Sequence, residues 1–488
     1  MRNFTSRRFA SLSSSRRSSH VLVAAIALAG CSSASGDGLG ELTIEDDEGI
    51  EAAADDLVSP LPTVAQVAGF DLSIAQAGAD IDLAWTDQGG GFVYDVWRST
   101  DPYFFPGDAG SVLLSDDLAT ASFTDVGGND ATSYYYRIET DGADEYLSTI
   151  AGKFVQPLVA DGFTILGFPL LDTASLDAAS LAAEIPGVIE VKRWFPYQVF
   201  YAPGHPDPAW AAPNFSWNAG DAVAVRTDAS AGATYTQTGT VPVATDIART
   251  LATGQNLATV PLSMSAADAQ GLAAREPSIT QLDQWNLGAQ DTEQFFAPNW
   301  GTNFAVEPGQ ALWVYVDEPT AWPLRTPYFS EYVEGTFFNK AVEIYNPTAV
   351  DFDLDECSVQ IYRGGNPAVG NTIALSGSIE PGGVAVLCDD NSDDTTPCDI
   401  VNGQNFWNGD DTVVLRCEGV ALDVIGQIGF DPGAQWNEGG VSTLNSGMRR
   451  DCSVQTGDPE GTDAFDPSAQ WSAFGIDDYS GLGEHTCP

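Results

Sequence analysis

Basic residues are scarce in this chain. Its 488 residues carry 68 acidic side chains against 19 lysines and arginines, a net charge of -49, and the lysines are Lys153, Lys192 and Lys340 alone. Nucleic-acid binding draws its affinity from cations that displace counterions from phosphate, and this composition leaves no material for a basic groove. Histidine is scarcer still: His20, His205 and His485 stand far apart in the sequence. A Ser-His-Asp hydrolase or a metallonuclease needs a histidine or a carboxylate cluster in a shaped pocket, and no G-x-S-x-G, H-E-x-x-H or phosphate-cradling glycine loop is present. The sequence therefore predicts a protein that is not an enzyme. Long apolar runs are also missing, since the stretch from Val21 to Ala29 falls short of the roughly 20 residues of a spanning helix. Cysteine is confined to Cys31 and to six positions in the last third (Cys357, Cys388, Cys398, Cys417, Cys452, Cys487). None of these sits at C-x-x-C spacing, which speaks against a zinc site.

Hydrophobic residues at 43% and aromatics at 10% provide for packed cores, and the length suits three or four domains. The N-terminal stretch holds Arg2, Arg7, Arg8, Arg16 and Arg17 and no acidic residue, then the apolar run, then Leu28-Ala29-Gly30-Cys31. It resembles a bacterial lipoprotein signal peptide over residues 1–30. The resemblance implies cleavage before Cys31, acylation of that residue, membrane attachment through the lipid anchor and an extracytoplasmic body. Ser6-Arg7-Arg8 hints at a twin-arginine signal, although the rest of that motif is missing. Ser32 and Ser33 stand where an Asp would retain a lipoprotein on the inner membrane, so by family analogy the expected location is the outer membrane or cell surface. Loss of the signal leaves 19 - 5 = 14 basic residues against 68 acidic ones. Residues 31–61, with Glu45-Asp46-Asp47-Glu48, read as an acidic disordered tether. The even set of C-terminal cysteines in an exported chain predicts three disulfides. Fifteen pairings are possible; the spacing favours Cys388 with Cys398, Cys452 with Cys487, and Cys357 with Cys417.

The expected fold class is mainly β, with immunoglobulin-like β-sandwiches at both ends of a duplicated small α+β region. Residues 62–157 alternate with period two, as in Ile81-Asp82-Leu83-Ala84-Trp85, Val93-Tyr94-Asp95-Val96-Trp97 and Tyr134-Tyr135-Tyr136-Arg137-Ile138. This segment resembles a fibronectin type III domain, with Leu83-Ala84-Trp85 on its second strand and the late tyrosines on its tyrosine-bearing strand. Arg98-Ser99-Thr100-Asp101-Pro102-Tyr103 reads as a structural turn or a recognition loop. Residues 161–323 contain a duplication, about 161–228 and 253–318. Phe168-Pro169-Leu170 recurs as Val260-Pro261-Leu262, Trp194 as Trp285, and Asn214-Phe215 with Gly220 as Asn303-Phe304 with Gly309. Each copy reads as strand, Ala/Leu-rich helix (Leu176 to Glu184; Ala266 to Arg275), a strand bearing the Trp, and a closing strand such as Ala311-Leu312-Trp313-Val314-Tyr315. Trp194 and Trp285 are the candidate binding residues, lining a carbohydrate or peptide groove, or else they are core.

In residues 328–488, Phe329-Ser330-Glu331-Tyr332-Val333-Glu334-Gly335 is followed by Asn339-Lys340-Ala341-Val342-Glu343-Ile344-Tyr345-Asn346-Pro347. Later come Ile379-Glu380-Pro381-Gly382-Gly383, Asn408-Gly409-Asp410-Asp411, Asp423-Val424-Ile425-Gly426 and Arg449-Arg450-Asp451-Cys452. The segment resembles a lamin tail domain of the bacterial extracellular type, which implies an immunoglobulin-like sandwich. Glu331, Glu334, Glu343 and Asn346 form a polar site or satisfy backbone groups at a sandwich end. Asp389, Asn391 and Asp393 place side-chain oxygens at alternate positions, as at the start of a calcium loop; calcium is the one cofactor this chain suggests. The competing reading is a solvated acidic turn, since Asp394 stands where that loop wants Gly.

These observations predict a non-catalytic, lipid-anchored envelope protein whose beaded domains form a stalk and display interaction surfaces, for adhesion or matrix attachment. The alternative is an accessory subunit that grips a carbohydrate or peptide substrate for an extracellular hydrolase or nuclease. A protein or polysaccharide partner is expected, and nucleic acid is not.

Overall fold

The computed structural model describes residues 70–486, apart from 90, 142–145, 172–175, 204–212, 265–267 and 418. The signal-like segment with His20, Cys31, the acidic tether, His205 and Cys487 lie outside the described residues. The fold is mainly β, built from antiparallel sheets with two short helices.

Seven strands make the first sandwich: β1 (Leu72–Ala77), β2 (Asp80–Trp85), β3 (Val93–Ser99), β4 (Val112–Leu118), β5 (Ser122–Asp125), β6 (Tyr134–Asp141) and β7 (Ala151–Pro157). One sheet has the order β1-β2-β5, and the facing sheet runs β4-β3-β6-β7. Alternation decides what goes inside. Ile81, Leu83 and Trp85 from one sheet meet Tyr94, Val96, Tyr136 and Ile138 from the other. Successive side chains point outward, so the strands stay half polar.

The first copy of the duplicated region contributes β8 (Phe163–Gly167), α1 (Ala178–Glu184), β9 (Val188–Arg193), β10 (Gln198–Tyr201) and β11 (Ala222–Thr227). The linker that follows forms β12 (Thr234–Thr240) and β13 (Arg249–Leu251). The second copy contributes β14 (Gly254–Thr259), α2 (Ala269–Arg275), β15 (Ile279–Asn286), β16 (Asp291–Phe296), β17 (Trp300–Gly301), β18 (Ala311–Val316) and β19 (Thr320–Trp322). The sheets run β10-β9-β11-β8 and β17-β16-β15-β18-β14, so the second repeats the first with one edge strand added. The repeated Asn explains part of the sequence repeat. Asp177 caps α1 through Ala179 N and Ser180 N, and Asn214 Nδ2 donates to Asp177 at 2.7 Å. In the second copy Asp268 caps α2 through Gly271 N, and Asn303 Nδ2 donates to Asp268 at 2.9 Å. Each helix is only seven residues long and would not hold alone; Leu181 and Leu272, fully buried, seat them on their sheets. Gly220 and Gly309 recur because both sit at a positive φ, 84° and 82°, in the turn before the closing strand.

The C-terminal sandwich follows with β20 (Tyr328–Glu334), β21 (Lys340–Tyr345), β22 (Phe352–Asp353), β23 (Cys357–Tyr362), β24 (Asn371–Ala374), β25 (Ser378–Ile379), β26 (Val384–Asp389), β27 (Ile400–Asn402), β28 (Thr412–Cys417), β29 (Val420–Ile425), β30 (Asn437–Glu438), β31 (Val441–Ser442), β32 (Ser446–Arg450) and β33 (Trp471–Phe474). Its sheets run β27-β26-β21-β20-β32-β33 and β24-β23-β28-β29, and Phe329, Val342, Val359, Leu415 and Trp407 fill the space between them. Cys357 is bonded to Cys417, directly opposite it on the neighbouring strand, and Cys388 to Cys398; these are two of the three expected pairs.

Two features were not legible in the segment boundaries. β12, from the linker between the copies, pairs along its whole length with β7, so the first sandwich is completed by chain from beyond residue 157. Beads on a stalk were also expected, whereas all the described residues belong to one compact unit. The segment after β3 is the physical reason. Tyr103, Phe104 and Phe105 are buried: Tyr103 and Phe104 pack with Leu170 and Leu262 of the duplicated region, and Phe105 packs with Tyr362 and Val424 of the C-terminal sandwich. The Arg98–Tyr103 segment is therefore structural rather than a free recognition loop.

Candidate functional site

Each copy of the duplicated region has two faces. On one, β11 points Val223 and Val225 at the α1 side, while β18 points Leu312, Val314 and Val316 at the α2 side. The alternate residues point the other way, and there the two copies meet: Ala222, Leu257, Ala311 and Trp313, with Ile165, Trp194, Trp285 and Tyr315 half-buried against them. The junction is close. A Cβ at Gly167 would stand 2.4 Å from the carbonyl oxygen of Gly309, so only glycine lets the strands approach.

Between these faces runs a cleft of about 430 Å³ whose walls include Trp194, Trp285, Trp313, Tyr315, Asp283 and Lys192. Its logic follows from strand periodicity. On β9, Glu190 and Lys192 share the face of Trp194, the next residue in that alternation; on β15, Gln281, Asp283 and Trp285 occupy the matching positions. The repeat thus places one tryptophan in each wall. β18 adds Trp313 and Tyr315, whose counterparts on β11 are Ala224 and Arg226, so the first copy has a small and a charged residue where the second has two rings.

Polar groups are held tightly. Asp283, 3% exposed, accepts from Gln281 Nε2 at 2.7 Å, Gln294 Nε2 at 3.2 Å and the Tyr315 hydroxyl at 3.2 Å. Gln255 Nε2 donates to the same hydroxyl. Burial, and then the Asp283 charge, push Tyr315 up to about 12, so it remains a neutral donor. Trp285 Nε1 donates to the Phe163 carbonyl at 2.8 Å, which locks that indole in place. Trp194 stands edge-on to Trp313, ring centroids 5.7 Å apart.

The two tryptophans singled out in the sequence are therefore brought together at one site, half-buried, each with part of its surface in the cleft. Trp313 and Tyr315 were not singled out, because the first copy has no aromatic at those positions. The signal available was the alternation of Ala311-Leu312-Trp313-Val314-Tyr315, which puts both rings on the face away from the helix.

The other candidates form no comparable site. Asp389 is buried and accepts from Asn391 N at 2.8 Å and Asn391 Nδ2 at 3.3 Å, while Asp393 exchanges hydrogen bonds with Asn339. These oxygens hold the loop shut and pin it to the turn between β20 and β21. Among the described residues, the group of three carboxylates close enough for one ion is Asp95, Asp116 and Asp117, in the first sandwich. Asn346 Nδ2 donates to the carbonyls of Val350 and Ile379, at 2.8 and 2.9 Å, and so acts as a backbone clamp. Glu334 is paired with Lys340, Glu331 with Arg449 at 2.9 Å, and Glu343 accepts from Ser330 Oγ and Gly483 N. Burial raises the pKa of both Glu331 and Glu343. His485 lies between Tyr328 and Tyr345, where burial lowers its pKa. Cys452 is described, but its expected partner Cys487 is not. Among the described residues no helix is long and apolar enough to cross a membrane.

No protein family and no curated protein matches this chain. Among solved structures it is similar to a crystal structure of pectate lyase Pel3 from Pectobacterium carotovorum, with 23% identity over 20% of this chain and 30% of that chain and a TM-score of 0.16. A likeness that partial carries no argument about fold or activity.

Proposed function

We propose that this chain is an exported, lipid-anchored envelope protein that binds without catalysing, and that the cleft between its duplicated copies grips a glycan chain for attachment of the cell to polysaccharide or matrix. The observation that carries the proposal is the convergence of Trp194, Trp285, Trp313 and Tyr315 on one open cleft, with Asp283, Gln255 and Gln294 at its walls. Flat aromatic faces take the apolar face of a sugar ring, while carboxylate and amide groups fixed in place fit its hydroxyls. Hydrolysis of a glycosidic bond uses two facing carboxylates in most such enzymes, and Asp283 is the single carboxylate among the described lining residues.

Support for the anchor comes from the Leu28-Ala29-Gly30-Cys31 junction and the arginine-rich segment before it, and the disulfides suit an oxidising compartment outside the cytosol. An outer-membrane or surface location follows from the same resemblance. The strand order β1-β2-β5 against β4-β3-β6-β7 favours a fibronectin type III-like module, and the two-sheet C-terminal sandwich favours a lamin-tail-like one.

Retention on immobilised polysaccharides tests the reading. The full chain should bind, and Trp194→Ala and Trp285→Ala should each lose binding by about tenfold or more in protein that remains folded, with Trp285→Ala lowering the melting temperature more because it also removes the bond to the Phe163 carbonyl. Binding that survives both substitutions in folded protein would end the proposal.

A further inference from the structure

The charges that flank the cleft cancel one another, and this narrows the ligand. Lys192 Nζ lies 2.7 Å from one oxygen of Glu190, and Arg226 Nη1 donates to the other at 2.9 Å. Both cations also lie over the Phe163 ring, 4.3 and 5.7 Å from its centroid. Asp283 is engaged by its three donors. Lys192 and Asp283 line the cleft and Glu190 and Arg226 stand beside it, each already engaged within the protein. A uronate, sulfate or phosphate group would have to break an existing pair to gain a cation, and the field of a chain at -49 opposes its approach. An amino sugar would have to compete with three hydrogen bonds for Asp283.

What the cleft does offer is uncharged. Trp313, 5% exposed, lines the cleft together with the neutral side chains of Gln255, Thr292 and Gln294. The aromatic run also continues outward. Tyr197, 66% exposed, stands edge-on to Trp194 at 6.4 Å, which stands edge-on to Trp313 at 5.7 Å. A run from a buried indole to an exposed phenol is longer than one sugar ring requires.

Building on the glycan reading, we infer that the cleft takes an internal stretch of an uncharged glycan chain, with Tyr197 as an outer subsite engaged only by longer chains. Affinity electrophoresis and calorimetry of the full chain would use hydroxyethyl cellulose, galactomannan and dextran as neutral probes, alginate as the polyuronate and chitosan oligomers as the amino-sugar chain. At least one neutral glycan should bind, with affinity changing less than about twofold between 50 and 500 mM NaCl because no ion pair is formed. Alginate should not bind, and any attraction of chitosan to the acidic surface should vanish at 500 mM NaCl and be unaffected by Trp194→Ala. Tyr197→Ala, at an exposed position, should weaken a hexasaccharide of the bound glycan by about two- to tenfold and leave the disaccharide unchanged. Alginate binding as tightly as the neutral chains, chitosan binding that persists at 500 mM NaCl and is lost in Trp194→Ala, a steep salt dependence of the neutral glycan, or equal loss for both oligomer lengths would overturn the inference while leaving the glycan reading standing. If no glycan of any charge binds, or a peptide mixture alone is retained through Trp194, the glycan reading itself fails.

Discussion

Glu331 shows how far a single side chain can depart from its sequence neighbours. Its place in a polar cluster was legible, but its environment was not: Arg449 meets one carboxylate oxygen, the other is buried with no partner among the described residues, and burial pushes the group up to about 7. An unfolded glutamate titrates near 4.3. Between those two values the folded chain binds more protons than the unfolded one, so the contribution of Glu331 to stability is largest at acid pH and is lost as pH rises toward 7. Thermal unfolding followed from pH 4.5 to 7 should therefore show falling stability, and Glu331→Gln should flatten that slope; an unchanged slope in the variant would assign it to other groups. The cleft residues divide in the same way. Trp194 and Trp285 announce themselves by recurring. Asp283 does not, because the first copy carries Lys192 at the matching position, and its meaning depends on the three donors that the fold gathers round it.

Among the elements, the helices were legible to within a few residues because Ala/Leu-rich composition is a local signal, whereas their Asp caps emerged only with the structure. Strand partners were not. β12 reads Thr-Tyr-Thr-Gln-Thr-Gly-Thr, a β-prone alternation, yet nothing local says that it will pair with β7 rather than with a strand of its own copy. The disulfides lie between these cases, as spacing proposed the pairs and the sheet made them neighbours. Cys357–Cys417 closes a loop with a sequence separation of 60, against 10 for Cys388–Cys398. On the chain-entropy account, removing the first by a paired Cys→Ala change should cost about 4 kcal/mol and the second about 3. Calorimetry of the two double variants, with the remaining disulfides intact, checks the order; a larger loss from the shorter loop would mean that native packing outweighs chain entropy here.

For the molecule as a whole, compactness comes from a few long-range contacts. Arg137, 1% exposed on β6, pairs with Glu460 at 2.8 Å, 323 residues away, and Arg416 on β28 reaches back to Asp108 at 2.8 Å. Leu170 and Leu262, equivalent in the two copies, both dock on Tyr103 and Phe104. Glu460→Ala would leave a buried guanidinium without its charge partner, so a loss of about 3–5 kcal/mol is expected. The double variant Arg137→Met with Glu460→Leu should recover most of it. Limited proteolysis should show the sandwiches separating in the single variant alone; equal resistance would mean that the apolar contacts of Phe105 suffice. This rigidity bears on binding as well, since a cleft with walls from two copies keeps its shape only if the copies stay fixed together.

The sequence by itself determined the β-rich class, the duplication, the two Ala/Leu-rich helices, the acidic balance and the two tryptophans, because each is written in local composition, period or repetition. Tertiary structure alone decided that the linker strand completes the first sandwich, that aromatic side chains after β3 bind the modules into one body, and that Trp313, Tyr315 and Asp283 join the repeated tryptophans. Those outcomes rest on contacts between residues far apart in the chain. Such contacts form only when burying apolar surface outweighs the entropy of bringing distant segments together, and no local pattern records that balance.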